Sequence, residues 1–136
     1  MKNIKEFLKN DNFAAISGIE LLEVSQGYAK AIMNIEEKHL NALKTVQGGA
    51  IFTLADLTFA AASNVYGTVT VAINANISFV KAATGESLTA EAKETSINPK
   101  ISTYTVNVTD DKGNLVAIFQ GMGYRKKISL DELSRV

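Results

Sequence analysis

Cysteine is missing from the 136 residues, which excludes disulfides, thiolate metal sites and a thiol nucleophile. Histidine is nearly missing as well. His39 is the one copy, and a lone imidazole without cysteines or a carboxylate cluster beside it builds no zinc site. The chain has no surplus of either charge. Fourteen basic and fourteen acidic residues cancel, so the basic excess that phosphate-backbone binding needs is absent and no nucleic-acid partner is expected. Long apolar runs are absent too. The most apolar stretch, Ala50 to Ala62, is interrupted by Thr53, Asp56 and Thr58 and is too short for a bilayer. The opening MKNIKEFLKND scatters charge among its apolar residues, unlike a secretory signal. These absences point to a soluble, cytoplasmic protein with no membrane partner.

What is present fits one globular unit. Hydrophobic residues make up 46% and charged residues 21%, an ordinary balance, and the length suits a single domain spanning 1–136. No internal repeat, low-complexity tract or interdomain linker stands out.

Ile4, Phe7 and Leu8 follow helical spacing, which predicts a short amphipathic helix ending near Asn10-Asp11. IELLEV (19–24) and YAKAIMNI (28–35) flank Ser25-Gln26-Gly27 and read as a hairpin. Residues 39–46 read as a loop. Gly48 to Ser63 reads as a long helix, apolar nearly all round and therefore buried on most sides, with Asn64 and Gly67 marking its end. From Val69 onward the pattern is β. Val69, Val71, Ile73, Ala75, Ile77 and Phe79 alternate with smaller or polar residues, as a strand with one apolar face does. Strands over 87–95, 101–109 and 115–124 follow, separated by turns at 98–100 and 110–114. Ser129 to Glu132 has capping-box spacing. The order is helix, two strands, long helix, then four strands expected to run as a meander. An antiparallel sheet must cover its apolar face, and the long helix is the one element able to do so. The expected class is α+β, a curved antiparallel sheet wrapped around one central helix.

Two features of that helix suggest chemistry. Asp56 lies in an apolar run, and its helical neighbours Phe52, Thr53, Phe59 and Ala60 include no cation. An unpaired buried carboxylate is costly, so Asp56 either faces a polar gap or serves as a base or nucleophile in a cleft. Gly48-Gly49 heads the same helix. Helix-start N–H groups are unpaired and lie at the positive end of the dipole. They suit an acyl oxygen that gains charge, although a glycine pair also serves a tight turn. Eight residues separate Gly48 from Asp56, about 12 Å along a helix. One helix therefore cannot bring both to one carbonyl, whereas two antiparallel copies in a two-fold dimer can.

The segment H-L-N-x-x-x-x-V-x-G-G-A-I-F-x-L-A-D-x-x-F-A-x-A-S-N, beginning at His39, resembles the PaaI-like acyl-CoA thioesterases of the hotdog fold. Those typically show H-x-N-x-x-G-x-x-H-G-G-x-x-F-x-L-A-D. Gly18-Ile-Glu-Leu, Asn76-Ile-Ser-Phe79, the stretch 85–90 and the stretch 113–117 extend the likeness over nearly the whole chain. The resemblance implies a hotdog fold and hydrolysis of an acyl-CoA thioester. It implies Asp56 as nucleophile or general base, Gly48 as the N–H that polarises the carbonyl with Gly49 beside it, and Asn41 as a polar residue near the attacking water. It implies a site shared across a homodimer or homotetramer, with no metal and no cofactor beyond the coenzyme A of the substrate.

Three departures stand out. The histidine usually found before Gly-Gly is Gln47 here, which donates a hydrogen bond but exchanges no proton near neutral pH. The usual glycine before Val46 is Lys44, or Leu43 by another spacing. A strand hydroxyl found in some relatives falls at Ala72. These departures leave open a non-catalytic acyl-CoA-binding or regulatory protein, and count against a hydratase, which wants His with a carboxylate. Among other residues, His39 reads as a solvated loop residue beside the site and Asn64 as a helix cap. Asn74 and Asn76 read as solvent-facing or interfacial. Lys81 and Arg125, with Lys126 and Lys127, suit coenzyme A phosphates or an ordinary solvated surface. Phe52 and Phe59 are expected in the core, with one of them reaching the acyl group.

Overall fold

The computed structural model describes residues 4–133; the single-domain expectation runs over 1–136, and its first and last three positions lie outside that range. Two short helices come first, α1 (Ile4–Leu8) and α2 (Asn12–Ile16). The sequence suggested one. The second exists because Asp11 caps it, accepting the Ala14 N–H at 3.1 Å, as short side-chain oxygens do at helix starts. The hairpin follows as β1 (Ile19–Ser25) and β2 (Tyr28–Asn34), and Gly27 takes the left-handed turn conformation at φ 70°. A single 3-10 turn over Glu37–His39 and a loop lead to α3 (Gly48–Asn64). The chain then forms β3 (Thr68–Phe79), β4 (Ser87–Ile97), β5 (Ile101–Asp110), β6 (Leu115–Ser129) and a last turn, α4 (Leu130–Leu133).

The six strands make one antiparallel sheet in the order β1-β2-β4-β5-β6-β3. The expected four-strand meander holds for β4 to β6 alone. β3 pairs with β6 at the far edge, and residues 80–86 carry the chain back across to β4. Period-two patterning says that each segment is a strand but not which strand it pairs with, so this crossover leaves no local mark.

Helix α3 lies across one face of the sheet and touches all six strands, with β2, β4, β5 and β3 prominent. Alanines 29, 31, 90 and 92 are fully buried, and their small side chains let the helix lie close on that half of the sheet. The other half is filled by larger groups. Phe59 stacks edge-on against Tyr104 at 5.5 Å, and Phe52 against Phe119 at 5.3 Å. The glycine at 121 is a packing requirement, because a Cβ there would stand 2.8 Å from the Phe59 ring. Burying each Leu or Phe side chain contributes about 1.5–3 kcal/mol. Asn64 fastens the helix end to β3: its amide accepts the Thr70 N–H at 2.8 Å and donates to the Ala60 and Thr70 carbonyls.

The apolar face expected on β3 is not one face. The pairing with β6 slips between Ala72 and Asn74, so Ile73 is a bulge and the pleat changes phase there. Thr70 and Ala72 share the helix side with Arg125 and Gly123; beyond the bulge that side passes to Ala75, Ile77 and Phe79. Residues 71–76 are all exposed, with Ile73 and Phe79 each at 53%. A long edge strand left bare in this way offers its backbone and its apolar side chains to another chain. Among the described residues no helix is long and apolar enough to cross a membrane.

Candidate active site

The head of α3 is set by the loop before it. Gln47 occupies the N-cap position, and its N–H donates to the His39 carbonyl at 2.7 Å. Its own carbonyl accepts from Ala50 at 2.9 Å. Ser, Thr, Asp or Asn at this position would cover an early N–H with its side chain. Gln47 makes no such bond. The Gly48 and Gly49 N–H groups therefore point out of the helix with no backbone acceptor among the described residues. The Gln47 carboxamide folds over Gly49, with Oε1 2.6 Å from where a Cβ would stand. This end of α3 is a set of fixed donors at a positive dipole end.

Asn41 shapes the loop that leads there. Its carbonyl oxygen accepts the Leu43 and Thr45 N–H groups at 2.9 and 3.2 Å, and its amide nitrogen donates to Thr45 Oγ1 at 3.1 Å. Lys44, inside this turn, is the one non-glycine residue with positive φ among the described residues, at 64°. The left-handed backbone thus falls at the earlier-noted glycine position and selects Lys44 over Leu43 as its counterpart. Asn41, Gly48 and Lys81 line one cleft of about 410 Å³ together with Ile51, Phe79 and Ala83. Lys81 is held by Asp110 at 3.1 Å. The Asp110 carboxyl is held down to about 2 by the Asn114 backbone N–H first, and by the Lys81 ammonium and the Lys112 backbone N–H beside it.

Asp56 is not in that cleft. It lies further along α3 on a partly open stripe with Gly49, Thr53 and Ala60, half-buried. Its carboxylate has no hydrogen-bond or ion-pair partner among the described residues. Burial pushes its pKa up, and the charge of Asp11 adds to the rise. An unpaired, desolvated carboxylate on an open stripe is poised to take a proton or to attack.

The remaining positions divide. Phe52 is half-buried and Phe59 fully buried in the aromatic cluster, so Phe52 is the one with surface to offer. Arg125 does not join Lys81. It pairs with Thr70, whereas Ala117, beside Lys81's end of the sheet, pairs with Phe79. Nine residues of strand separate the two places, about 30 Å. Arg125 instead donates to the Asn98 carbonyl at 3.0 Å and lies over the Tyr66 ring. Asn74 and Asn76 line a groove on the other sheet face with Thr103 and Gln120. Ala72 is exposed on the bare edge.

His39 is not solvated. It is 4% exposed, because its ring satisfies two backbone groups: Nδ1 accepts the Glu36 N–H at 2.9 Å and Nε2 donates to the Ser17 carbonyl at 2.8 Å. Two further residues that matter were not singled out from the sequence. Phe79 closes over Gly48, with its ring 3.0 Å from a Cβ built there. Asp11 reaches Asp56 electrostatically, and the signal for it was the capping pattern D-N-F-A. Among the described residues no cluster of three or more His, Cys, Asp or Glu side chains is placed to hold a metal.

Comparison with known proteins identifies the family and the fold. A family model for the thioesterase superfamily matches residues 43–117. A candidate esterase of Archaeoglobus fulgidus is 41% identical, covering 92% of this chain and 82% of its own length. The Escherichia coli acyl-coenzyme A thioesterase PaaI is 30% identical over 91% of this chain and 89% of its own. Among solved structures, the E. coli PaaI protein of the phenylacetic acid degradation operon superposes with a TM-score of 0.90 at 28% identity, covering 94% of each chain. A mutant of the phenylacetic acid degradation protein PaaI from Thermus thermophilus gives 0.81 at 31% identity, covering 85% of this chain and all of its own.

Proposed function

The chain belongs to the thioesterase superfamily and is a thioester hydrolase of the hotdog fold, and from that premise we propose that it cleaves acyl-CoA thioesters with small or aromatic acyl groups at a site built from two copies. The observation that carries this is the separation of donors from carboxylate. The free Gly48 and Gly49 N–H groups head α3, and unpaired Asp56 lies eight residues on, about 12 Å away. A carbonyl gripped at the helix head is out of reach of Asp56 in the same chain. The bare β3 edge supplies the surface on which a second copy would dock, antiparallel, placing its Asp56 opposite the first chain's Gly48.

In this arrangement the thioester oxygen accepts from Gly48 N–H, with the Gln47 amide as a further donor. Asp56 of the other copy removes a proton from water as its oxygen attacks the carbonyl carbon. The tetrahedral oxyanion collapses, the C–S bond breaks, and the thiolate takes up a proton to leave as free thiol with the carboxylic acid as co-product. If Asp56 attacks directly, an anhydride forms and water then cleaves it; one carboxylate serves either route. Lys81, at the mouth of the cleft, suits a phosphate of the coenzyme. Gln47 in place of His rules out proton transfer from that position, and the family's chemistry favours turnover over the binding-only alternative.

The test is thiol release from short, medium and aromatic acyl-CoAs, wild type beside Asp56→Asn. Turnover by wild type that the variant loses while keeping its fold supports the reading. Full activity in Asp56→Asn, or no turnover with any substrate, contradicts it.

A further inference from the structure

His39 has no part in the chemistry described above, yet it is buried and fully engaged. Its ring stands between two segments that are also linked by the exposed Lys38 ammonium, which donates to the Ile16 carbonyl at 2.6 Å. On one side Nε2 donates to the carbonyl of Ser17, the C-cap of α2. On the other Nδ1 accepts from Glu36 N–H, closing the 3-10 turn in which His39 sits. These two bonds require the neutral tautomer with the proton on Nε2. The main chain of His39 makes the third connection, because its carbonyl accepts the Gln47 N–H at 2.7 Å. Next to it, Leu40 and Val46 form a β-bridge, and Val46 N–H donates to the Ala83 carbonyl at 2.9 Å.

These contacts make a continuous path. Helix α2 is capped at its start by Asp11, whose charge acts on Asp56, and at its end by Ser17, which His39 holds. His39 in turn holds Gln47, the residue from which Gly48 and Gly49 leave. The direction of those two N–H groups follows from the orientation of the peptide planes after Gln47. The Gln47 carbonyl, in one peptide plane with the Gly48 N–H, accepts from Ala50 and Ile51 at 2.9 and 3.3 Å. Gln47 has no side-chain cap, so the bond from its N–H to the His39 carbonyl at 2.7 Å fixes the peptide plane before it, and with that the angle at which the chain enters this turn. A donor misdirected by a fraction of an ångström still binds a carbonyl but loses strength toward an oxyanion.

We propose that His39 is a positioning residue for thioester hydrolysis: its neutral ring clamps the 36–47 loop to the end of α2 and so aims the Gly48 and Gly49 N–H groups at the reacting oxygen. The proposal rests on reading that helix head as the oxyanion site. It differs from a purely structural role in what it predicts. A structural histidine, once removed, lowers the melting temperature and leaves each folded molecule as fast as before. A positioning histidine lowers kcat in the folded protein and leaves KM nearly unchanged, since the lost interaction strengthens in the transition state.

The experiment uses wild type, His39→Ala, His39→Gln and His39→Asn, each assayed well below its melting temperature. Two readouts are taken: steady-state kinetics on the acyl-CoA that wild type turns over fastest, and backbone amide hydrogen exchange at Gln47. For His39→Ala we expect Gln47 to exchange roughly tenfold faster or more, with kcat down roughly tenfold and KM within about threefold. His39→Gln keeps a donor toward Ser17 and His39→Asn keeps an acceptor toward Glu36, so both should fall between, with kcat recovering as exchange slows. If His39→Ala does not fold, that Gln and Asn pair carries the test. Wild-type kcat in every folded variant overturns the proposal, and so does a loss of kcat with Gln47 exchange unchanged. An inactive wild type would remove the reading of the site instead, while faster exchange in the variants would still establish the clamp and unchanged exchange would refute it.

Discussion

The Phe79 ring lies 3.0 Å from the point where a Cβ on Gly48 would stand, so the last residue of β3 rests on the first residue of α3. Contact this tight leaves no room for a side chain unless the ring moves, and half of Phe79 is exposed, so it has somewhere to go. Gly48→Ala should therefore fold, at a cost of about 1–2 kcal/mol, but with the added methyl and the displaced ring crowding a carbonyl at the helix head. We expect kcat/KM to drop by roughly 10². Adding Phe79→Ala should recover stability and part of the rate. Melting curves and steady-state kinetics on the two variants and their combination measure the coupling.

The proposed mechanism makes Asp56 the source of an acid limit on turnover. Burial first, and Asp11 second, raise its pKa above the ordinary carboxylate value. The reaction needs the ionised form, so kcat/KM should fall as pH drops through that raised value. Asp11→Asn removes a like charge, lowers the Asp56 pKa and should move the acid limb to lower pH. The sign for stability is opposite. A carboxyl whose pKa is higher folded than unfolded destabilises the fold when ionised, and this penalty fades as pH falls through the folded value. Asp56→Asn should thus raise the melting temperature at pH 7 while turnover disappears.

Lys44 holds a left-handed backbone at φ 64° where the related motif has glycine. A non-glycine residue there costs energy that glycine does not, partly offset by glycine's greater freedom when unfolded. Lys44→Gly should stabilise the protein by about 1 kcal/mol in urea denaturation, with kcat little changed. A loss of stability would mean that the Lys44 side chain contributes more than its backbone costs.

Much of the candidate site was legible because it is local. Gly48, Gly49 and Asp56 share one helix, and helix geometry gives their separation without any tertiary knowledge. The helix-on-sheet class followed from one long apolar helix among amphipathic strands. The parts that were not legible depend on distant partners. Period two described β3 up to Ile73 and again after it, but a bulge is an event of pairing with β6 and leaves no trace in β3 alone. The place of β3 at the sheet edge, rather than beside β4, is likewise a matter of long-range pairing. His39 was read as solvated because its partners, Ser17 and Glu36, are backbone groups, which no side-chain pattern reveals. Arg125 and Lys81 looked alike as cations and lie at opposite ends of the sheet.

Lys81 tests the ligand side of the site. It lies half-exposed at the mouth of the Gly48 cleft beside Asp110. Lys81→Gln should raise KM for acyl-CoA several-fold with kcat nearly unchanged, and the difference from wild type should shrink as salt is added, because an exposed charge pair is screened. An equal effect on a short thioester lacking the nucleotide would assign Lys81 to folding rather than to phosphate.

The central claim, that each site takes Gly48 from one chain and Asp56 from another, is tested most directly by mixing two dead enzymes. Asp56→Asn lacks the carboxylate, and Gly48→Val blocks the helix head against Phe79. Unfolded together and refolded, the two chains should form mixed dimers with one intact site and one doubly broken site. Random pairing makes half the dimers mixed, so about a quarter of the wild-type activity should return. A mixture no more active than either variant alone would contradict the shared site and place Gly48 and Asp56 in one chain's own chemistry.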